Sequence, residues 1–149
     1  MSDFLNKVVT LILIFIMLVL APMLISYMMT DMRAQRLVLN EVSMFIDKVT
    51  DKGTITQSDL DQLYLSVNSH GKTLDVTVKR FVRVASLDQS TGQVRTLYFA
   101  ADDISALNPG DIVQVTVREV GRSPLRSLTY SILKIDIGKF EFSLAGAVR

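Results

Sequence analysis

The sequence predicts an α+β chain: a long N-terminal helix able to cross a membrane and continue as a stem, a short second helix, then a mostly antiparallel sheet of about five strands. Three observations carry that expectation. Residues 8–29, VVTLILIFIMLVLAPMLISYMM, are twenty-two residues without a charge. Residues 31–50 hold apolar side chains at helical spacing, with no Gly or Pro among them. Beyond Gly71 the apolar period changes to two, the period of a strand.

At about 1.5 Å rise per residue, the uncharged run makes a helix about 33 Å long, which matches a hydrocarbon core of about 30 Å. Thirteen of its residues are Leu, Ile, Val or Phe. Each favours mid-membrane by roughly 0.3 to 0.6 kcal/mol, so insertion is favoured by several kcal/mol before the polar residues are counted. Thr10, Ser26 and Tyr27 do not reverse this, because their hydroxyls can bond to helix carbonyls or reach the interface. A secretory signal has a shorter apolar region, about 7 to 15 residues, followed by a small-x-small cleavage site. No such site follows this run. A buried core helix is the bland alternative, but a domain this small seldom surrounds an apolar helix on every face.

Residues 1–30 are therefore the expected transmembrane helix, with Leu13 and Ile16 at mid-span. Pro22 removes one backbone donor and is expected to kink it. Ala21 and Ser26 are the small residues beside that proline, where neighbouring helices can approach closely. Five of the seven methionines lie between Met17 and Met32, which reads as flexible packing rather than as a metal-binding tract. Lys7 and the N-terminal amine precede the span while Arg33 and Arg36 follow it closely and Lys48 farther on, so the charge rule leans towards a cytoplasmic C-terminal part by about one charge, a margin that leaves the orientation undecided.

The helix is expected to run on through residues 31–52 as an amphipathic extension. Val38, Val42, Phe45 and Val49 fall at i, i+4, i+7 and i+11, beside Leu39 and Ile46, and offer one apolar stripe for stem-to-head packing. Gly53 suits the position just past a helix end. Thr56 with Asp59 three residues on is close to a capping box, and Leu60, Leu63, Tyr64 and Val67 then predict a helix over 57–69.

Leu74, Val76 and Val78 alternate with polar residues and begin a long strand that runs past Val84. The turn DQSTG, residues 88–92, returns it as a hairpin over 94–100. Asn108-Pro-Gly-Asp111 has Pro and Gly where a type II turn needs them, ahead of a strand over 112–117. Two more strands are expected over 127–137 and 140–148, joined at Gly138-Lys139. Residues 53–149 thus form one α+β head domain, and the roughly 120 residues beyond the span suffice for one modest core.

Composition removes several function classes. Sixteen basic against fifteen acidic side chains leave a net charge of +1, with no electrostatic footprint for nucleic acid. Without cysteine there is neither a disulfide framework nor a thiolate metal site. His70 is the only histidine and reads as a surface-loop residue. Asp102 and Asp103 are adjacent, so in extended chain they point apart, unlike a glycosidase pair. Ser123-Pro124 lacks a nucleophile elbow, and neither a phosphate-binding loop nor a dinucleotide turn occurs. The expectation is a protein that is not an enzyme and needs no cofactor or metal.

An apolar N-terminal helix with a proline part-way along, an amphipathic continuation and a strand-rich C-terminal domain together resemble the type IV pilin superfamily. The stretches FIDKVTDKGTITQSDLDQLYLSVNSHGKTLDVTV, residues 45–78, and NPGDIVQVTV, residues 108–117, are similar to minor pilin-like proteins of Gram-positive tight-adherence (Tad-like) loci. The resemblance implies a structural subunit that assembles through its N-terminal helix into a surface filament, with the head outside the membrane. It implies other copies, other pilin-like subunits or assembly-platform proteins as partners, besides membrane lipid. Type IV pilins are cut after a short basic leader at a small residue and carry a glutamate near the start of the mature helix. Here no Gly or Ala precedes the apolar run and the nearest acid is Asp3, ahead of Lys7. The resemblance therefore assigns Asp3 the charge near the helix start. The other reading of the same span is a single-pass accessory protein of a secretion or conjugation machine.

Overall fold

The structure is a computed structural model that describes residues 2–88, 92–121, 130 and 139–149. Helical backbone runs without a break from α1 (Ser2–Phe15) through a π-helical segment (Ile16–Leu20) into α2 (Ala21–Lys52). A short helix α3 (Gln57–Asn68) follows, then the strands β1 (Leu74–Leu87), β2 (Val94–Ala101), β3 (Ile112–Glu119) and β4 (Glu141–Ala147). The four strands form one antiparallel sheet in the order β2-β1-β3-β4. The strand expected over 127–137 and the Gly138 of its turn lie outside the described residues, apart from Tyr130. The chain divides into two compact units, Met1–Arg36 and Leu37–Arg149, with the division inside α2.

In the first unit the local event is the widened turn ahead of Pro22. The Ala21 N–H donates to the carbonyl of Ile16, five residues back rather than four. Pro22 has no N–H to give, and its ring would press on the Leu18 carbonyl in a regular helix, so a wider turn before it accommodates the proline without ending the helix. The expected kink thus takes the local form of a π-helical turn. Hydroxyls in this unit bond back to their own helix: Thr10 Oγ1 donates to the Asn6 carbonyl at 2.8 Å and Thr30 Oγ1 to the Ser26 carbonyl at 2.9 Å. That leaves their donors satisfied without water.

The second unit is built on strand alternation. Leu74 and Val76 of β1 and Val113, Val115 and Val117 of β3 point to one face and are buried there. The register sets Val76 opposite Val117 and Val78 opposite Val115, so the face is continuous across the two central strands. Val38, Val42, Phe45, Ile46 and Val49 of α2 join the same core, with Leu63 and Val67 of α3. Gly146 of β4 allows the helix to seat closely. A Cβ there would overlap Ile46 Cγ2 and come within 3.3 Å of Thr50 Cγ2.

Helix α2 stops where Gly53 turns to φ 69°, its N–H donating to the Val49 carbonyl at 2.9 Å. The chain then pairs briefly with the loop before β3: the Leu107 N–H donates to the Gly53 carbonyl at 3.0 Å and the Ile55 N–H to the Ser105 carbonyl at 3.1 Å. Thr56 caps α3 in a complete capping box. Its Oγ1 accepts from the Asp59 N–H at 3.3 Å, and Asp59 Oδ2 accepts from the Thr56 N–H at 3.1 Å. The Asn108-Pro109-Gly110-Asp111 turn closes with the Asp111 N–H on the Asn108 carbonyl at 3.0 Å, and Gly110 takes the φ of 90° that a type II turn requires of its third residue.

Candidate functional site

The largest chemically distinctive surface is the N-terminal helix itself. Leu11, Leu13, Ile16, Leu18 and Ile25 are between 44 % and 70 % exposed, and none of the most apolar stretch is buried. The helix is long and apolar enough to cross a membrane. Ala21 is half-buried, while Pro22 and Ser26 are exposed. They sit on the turns just after the π-helical segment. Asp3 is exposed in the first turn of α1, where the helix dipole favours a negative charge. Such a surface can dissolve in lipid or pack against other helices.

Val38, Val42 and Val49 have no exposed surface, and Phe45 keeps 7 %. All four lie in the second unit and face the sheet's core side chains, so they hold the fold rather than bind a ligand.

Two charged clusters in this unit are better satisfied than the sequence alone suggests. Asp59 is 6 % exposed and accepts from Lys48 Nζ at 2.8 Å and Lys52 Nζ at 3.2 Å, both from α2. The Lys48 ammonium, then the bonds from Thr56, hold its carboxyl well below the usual carboxylate range. The second cluster is a buried ion pair. Arg80 Nη2 and Nε donate to Asp111 Oδ2 at 2.7 and 2.9 Å, and Arg80 Nη1 donates to the Asp103 carbonyl at 3.2 Å.

Asp111 is 1 % exposed, and Arg80 is 8 % exposed. Burial pushes the Asp111 carboxyl up. The Asn108 N–H, the Arg80 guanidinium and the Arg83 N–H outweigh that and leave it below the usual range. All three nitrogens of the guanidinium donate within the protein, so the pair clamps β1 to the turn before β3.

Sequence reasoning missed the clamp, although a signal existed. Arg80 occupies the same phase of the alternation as Leu74, Val76 and Val78, which places a charge on the buried face. Asp103 does not combine with Asp102 into a catalytic pair. Its Oδ1 accepts from the Ser105 N–H at 2.9 Å and hydroxyl at 2.7 Å, a local turn that lowers its pKa. Ser123 and Pro124 lie outside the described residues. No group of three or more His, Asp or Glu among the described residues is placed to hold a metal ion.

An open groove of about 210 Å³ lies between α2 and α3. Phe45 and Leu63 form part of its apolar lining with Met44, and Glu41, Lys48 and Ser66 stand around them.

Compared with known proteins, the chain matches no family profile, no curated protein and no solved structure. Its architecture, a long apolar N-terminal helix joined to a small antiparallel-sheet domain, is pilin-like in general form.

Proposed function

We propose that this protein is a pilin-like structural subunit, similar to the minor pilins of Gram-positive Tad-like systems, that assembles through its N-terminal helix into a surface filament. The observation that carries the reading is the division of labour along one uninterrupted helix. Its first part exposes apolar side chains all round, and its last part is built into the core of a small sheet domain.

In the membrane the span is covered by lipid tails. In an assembly it exchanges them for neighbouring helices. Lipid and leucine are about equally apolar, so the exchange is driven by close van der Waals packing rather than by burial from water. Ala21 and Ser26, beside Pro22, are where two backbones can come closest. Leu13 and Ile16 keep the mid-span uncharged, and Asp3 supplies the charge near the helix start. The partners are other copies of this chain, other pilin-like subunits and the platform that inserts them, with the head outside the membrane. The role is structural and not catalytic, and calls on no cofactor, metal or nucleic acid.

Cysteine at the stem tests this, because the chain has none of its own. A single Ala21→Cys or Ser26→Cys substitution can form only intermolecular disulfides. The expected results are efficient dimer cross-linking in intact cells and recovery of the protein in sheared filaments. Good expression with no cross-link, and protein that stays with the membrane after shearing, would instead identify a single-pass accessory protein of a secretion or conjugation machine.

A further inference from the structure

One face of the N-terminal unit changes from apolar to cationic where the uncharged run ends. Ile25, Met29, Met32, Arg33 and Arg36 follow one another at spacings of three and four residues, so they share one side of α2. Ile25, Met29 and Met32 are about half exposed, and both arginines are exposed. Neither arginine forms an ion pair among the described residues.

The nearest acid does not answer that charge. Asp31 is half-buried and accepts from Gln35 Nε2 at 3.0 Å. At about 100° per residue it points about 140° away from Arg36 and farther still from Arg33. The other end of the span differs, because Lys7 has Asp3 four residues before it on the same face.

Depth in the membrane agrees with the face. Met29 ends the uncharged run. At about 1.5 Å per residue, Arg33 stands about 6 Å beyond it and Arg36 about 10 Å. The headgroup layer adds roughly 5 to 8 Å on each side of the hydrocarbon core, and a long arginine stem can reach back along the helix. Both guanidinium groups thus come to the depth of the lipid phosphates while Ile25 and Met29 lie among the acyl chains.

We propose that this face binds an anionic phospholipid in the leaflet on the head side of the membrane, with Arg33 and Arg36 on its phosphate and Ile25, Met29 and Met32 along its acyl chain. The occupant is a lipid rather than a free phosphate because the apolar strip and the cationic pair lie on one face, in the order in which a phospholipid carries its tail and its headgroup. A guanidinium matches phosphate oxygens with parallel N–H bonds. Two of them without a carboxylate favour a headgroup of net negative charge over a zwitterionic one. The inference rests on the membrane part of the reading above and deepens it. It names the lipid class that the unassembled span prefers, and a contact that has to be released when neighbouring helices replace the lipid.

The test uses the full-length chain reconstituted in phosphatidylcholine vesicles with a trace of phosphatidylglycerol or phosphatidylcholine spin-labelled on the acyl chain. Electron paramagnetic resonance reads the fraction of each probe slowed against the protein. The wild type is expected to associate with the phosphatidylglycerol probe about threefold more strongly than with the phosphatidylcholine probe. Arg33→Gln combined with Arg36→Gln should bring the ratio to about one, and Lys7→Gln should leave it unchanged. Both arginines are exposed, so the double substitution opens no core.

A ratio of about one for the wild type, with both probes slowed, would overturn the proposal and leave the span in the membrane. A preference that survives the double variant would overturn it as well, and its fall with Lys7→Gln would place the headgroup contact at the other end of the helix. Loss of the preference on adding inorganic phosphate, but not chloride at matched ionic strength, would assign the arginines to a soluble anion instead. If neither probe is slowed, the helix does not meet lipid, and the membrane reading falls with the proposal.

Discussion

Valine meets opposite surroundings in the two halves of one helix. Val8, Val9 and Val19 are 40 %, 51 % and 48 % exposed, whereas Val38, Val42 and Val49 have no exposed surface. Helix geometry and side-chain chemistry are the same, so the difference lies in what covers them. In the second unit the cover is part of the chain, supplied by β1, β3 and α3. In the first unit the chain supplies none, and the function proposed above has it come from outside, as lipid or as other helices. Fully burying a valine gains about 1.5 to 3 kcal/mol, which makes the missing cover of the N-terminal helix an energetic requirement.

The comparison breaks most completely when the second half of the helix is taken away. A fragment beginning at residue 57 lacks Val38, Val42, Phe45, Ile46, Val49 and Ile55, all of them core residues. It is expected to show no cooperative thermal transition by circular dichroism. A fragment beginning at residue 32 keeps them and is expected to melt cooperatively while tending to associate. Equal melting of the two would mean that the helix is an accessory to the sheet rather than half of its core.

The parts of this division that were legible in the sequence are those set by local spacing. The stripe from Val38 to Val49, the Thr56–Asp59 cap, the Pro109-Gly110 turn and the alternation from Leu74 each follow from residues within a few positions of one another. What was not legible depends on distance along the chain. Arg80 and Asp111 are thirty-one residues apart. Asp59 was readable as a cap, but not as the acceptor for Lys48 and Lys52, which stand one turn apart on another helix. The face of β2 was also unreadable, because Val94, Leu97, Tyr98 and Phe99 put apolar side chains on both sides, and all four are exposed. The turn ahead of Pro22 shows a third limit. A proline announces a disturbed helix, but whether it bends or widens is decided by the backbone around it.

A smaller but more selective break comes from charge, and it should act oppositely in the two regions. In the second unit, Asp111→Ala removes a charge and leaves Arg80 buried without its carboxylate, at a cost of about 3 to 5 kcal/mol. In the first, Leu13→Arg or Ile16→Arg adds a charge at mid-span, at a cost of roughly 2.5 to 3.5 kcal/mol for insertion. The Asp111 variant should lower the melting temperature of the fragment from residue 32, with the full-length chain still membrane-bound wherever it folds. The arginine variants should lose membrane retention or filament yield, with the head's melting unchanged. Normal fractionation of both arginine variants would remove the membrane role of the helix. An unchanged melt for Asp111→Ala would show that the buried pair is not a clamp.

The smallest effect concerns Asp59, whose two lysine partners are about half exposed, Lys48 at 51 % and Lys52 at 46 %. Solvent screens such contacts, so Asp59→Asn is expected to cost about 1 kcal/mol or less at neutral pH, and less again in high salt. Its signature is the pH dependence. Because the folded pKa of Asp59 lies below the unfolded value of 3.8, the carboxylate's contribution is complete above that value and is lost as the pH falls toward the folded one. Asp111 is shifted in the same direction and adds to the same acid loss. Melts of the fragment from residue 32 between pH 6 and roughly pH 2 should therefore fall steeply on the acid side for the wild type. They should fall less steeply for Asp59→Asn, the two curves converging at the acid end where the wild-type carboxylate is progressively protonated. Parallel curves would show that the lysines contribute no charge-dependent stability and that Asp59 acts only as the cap of α3.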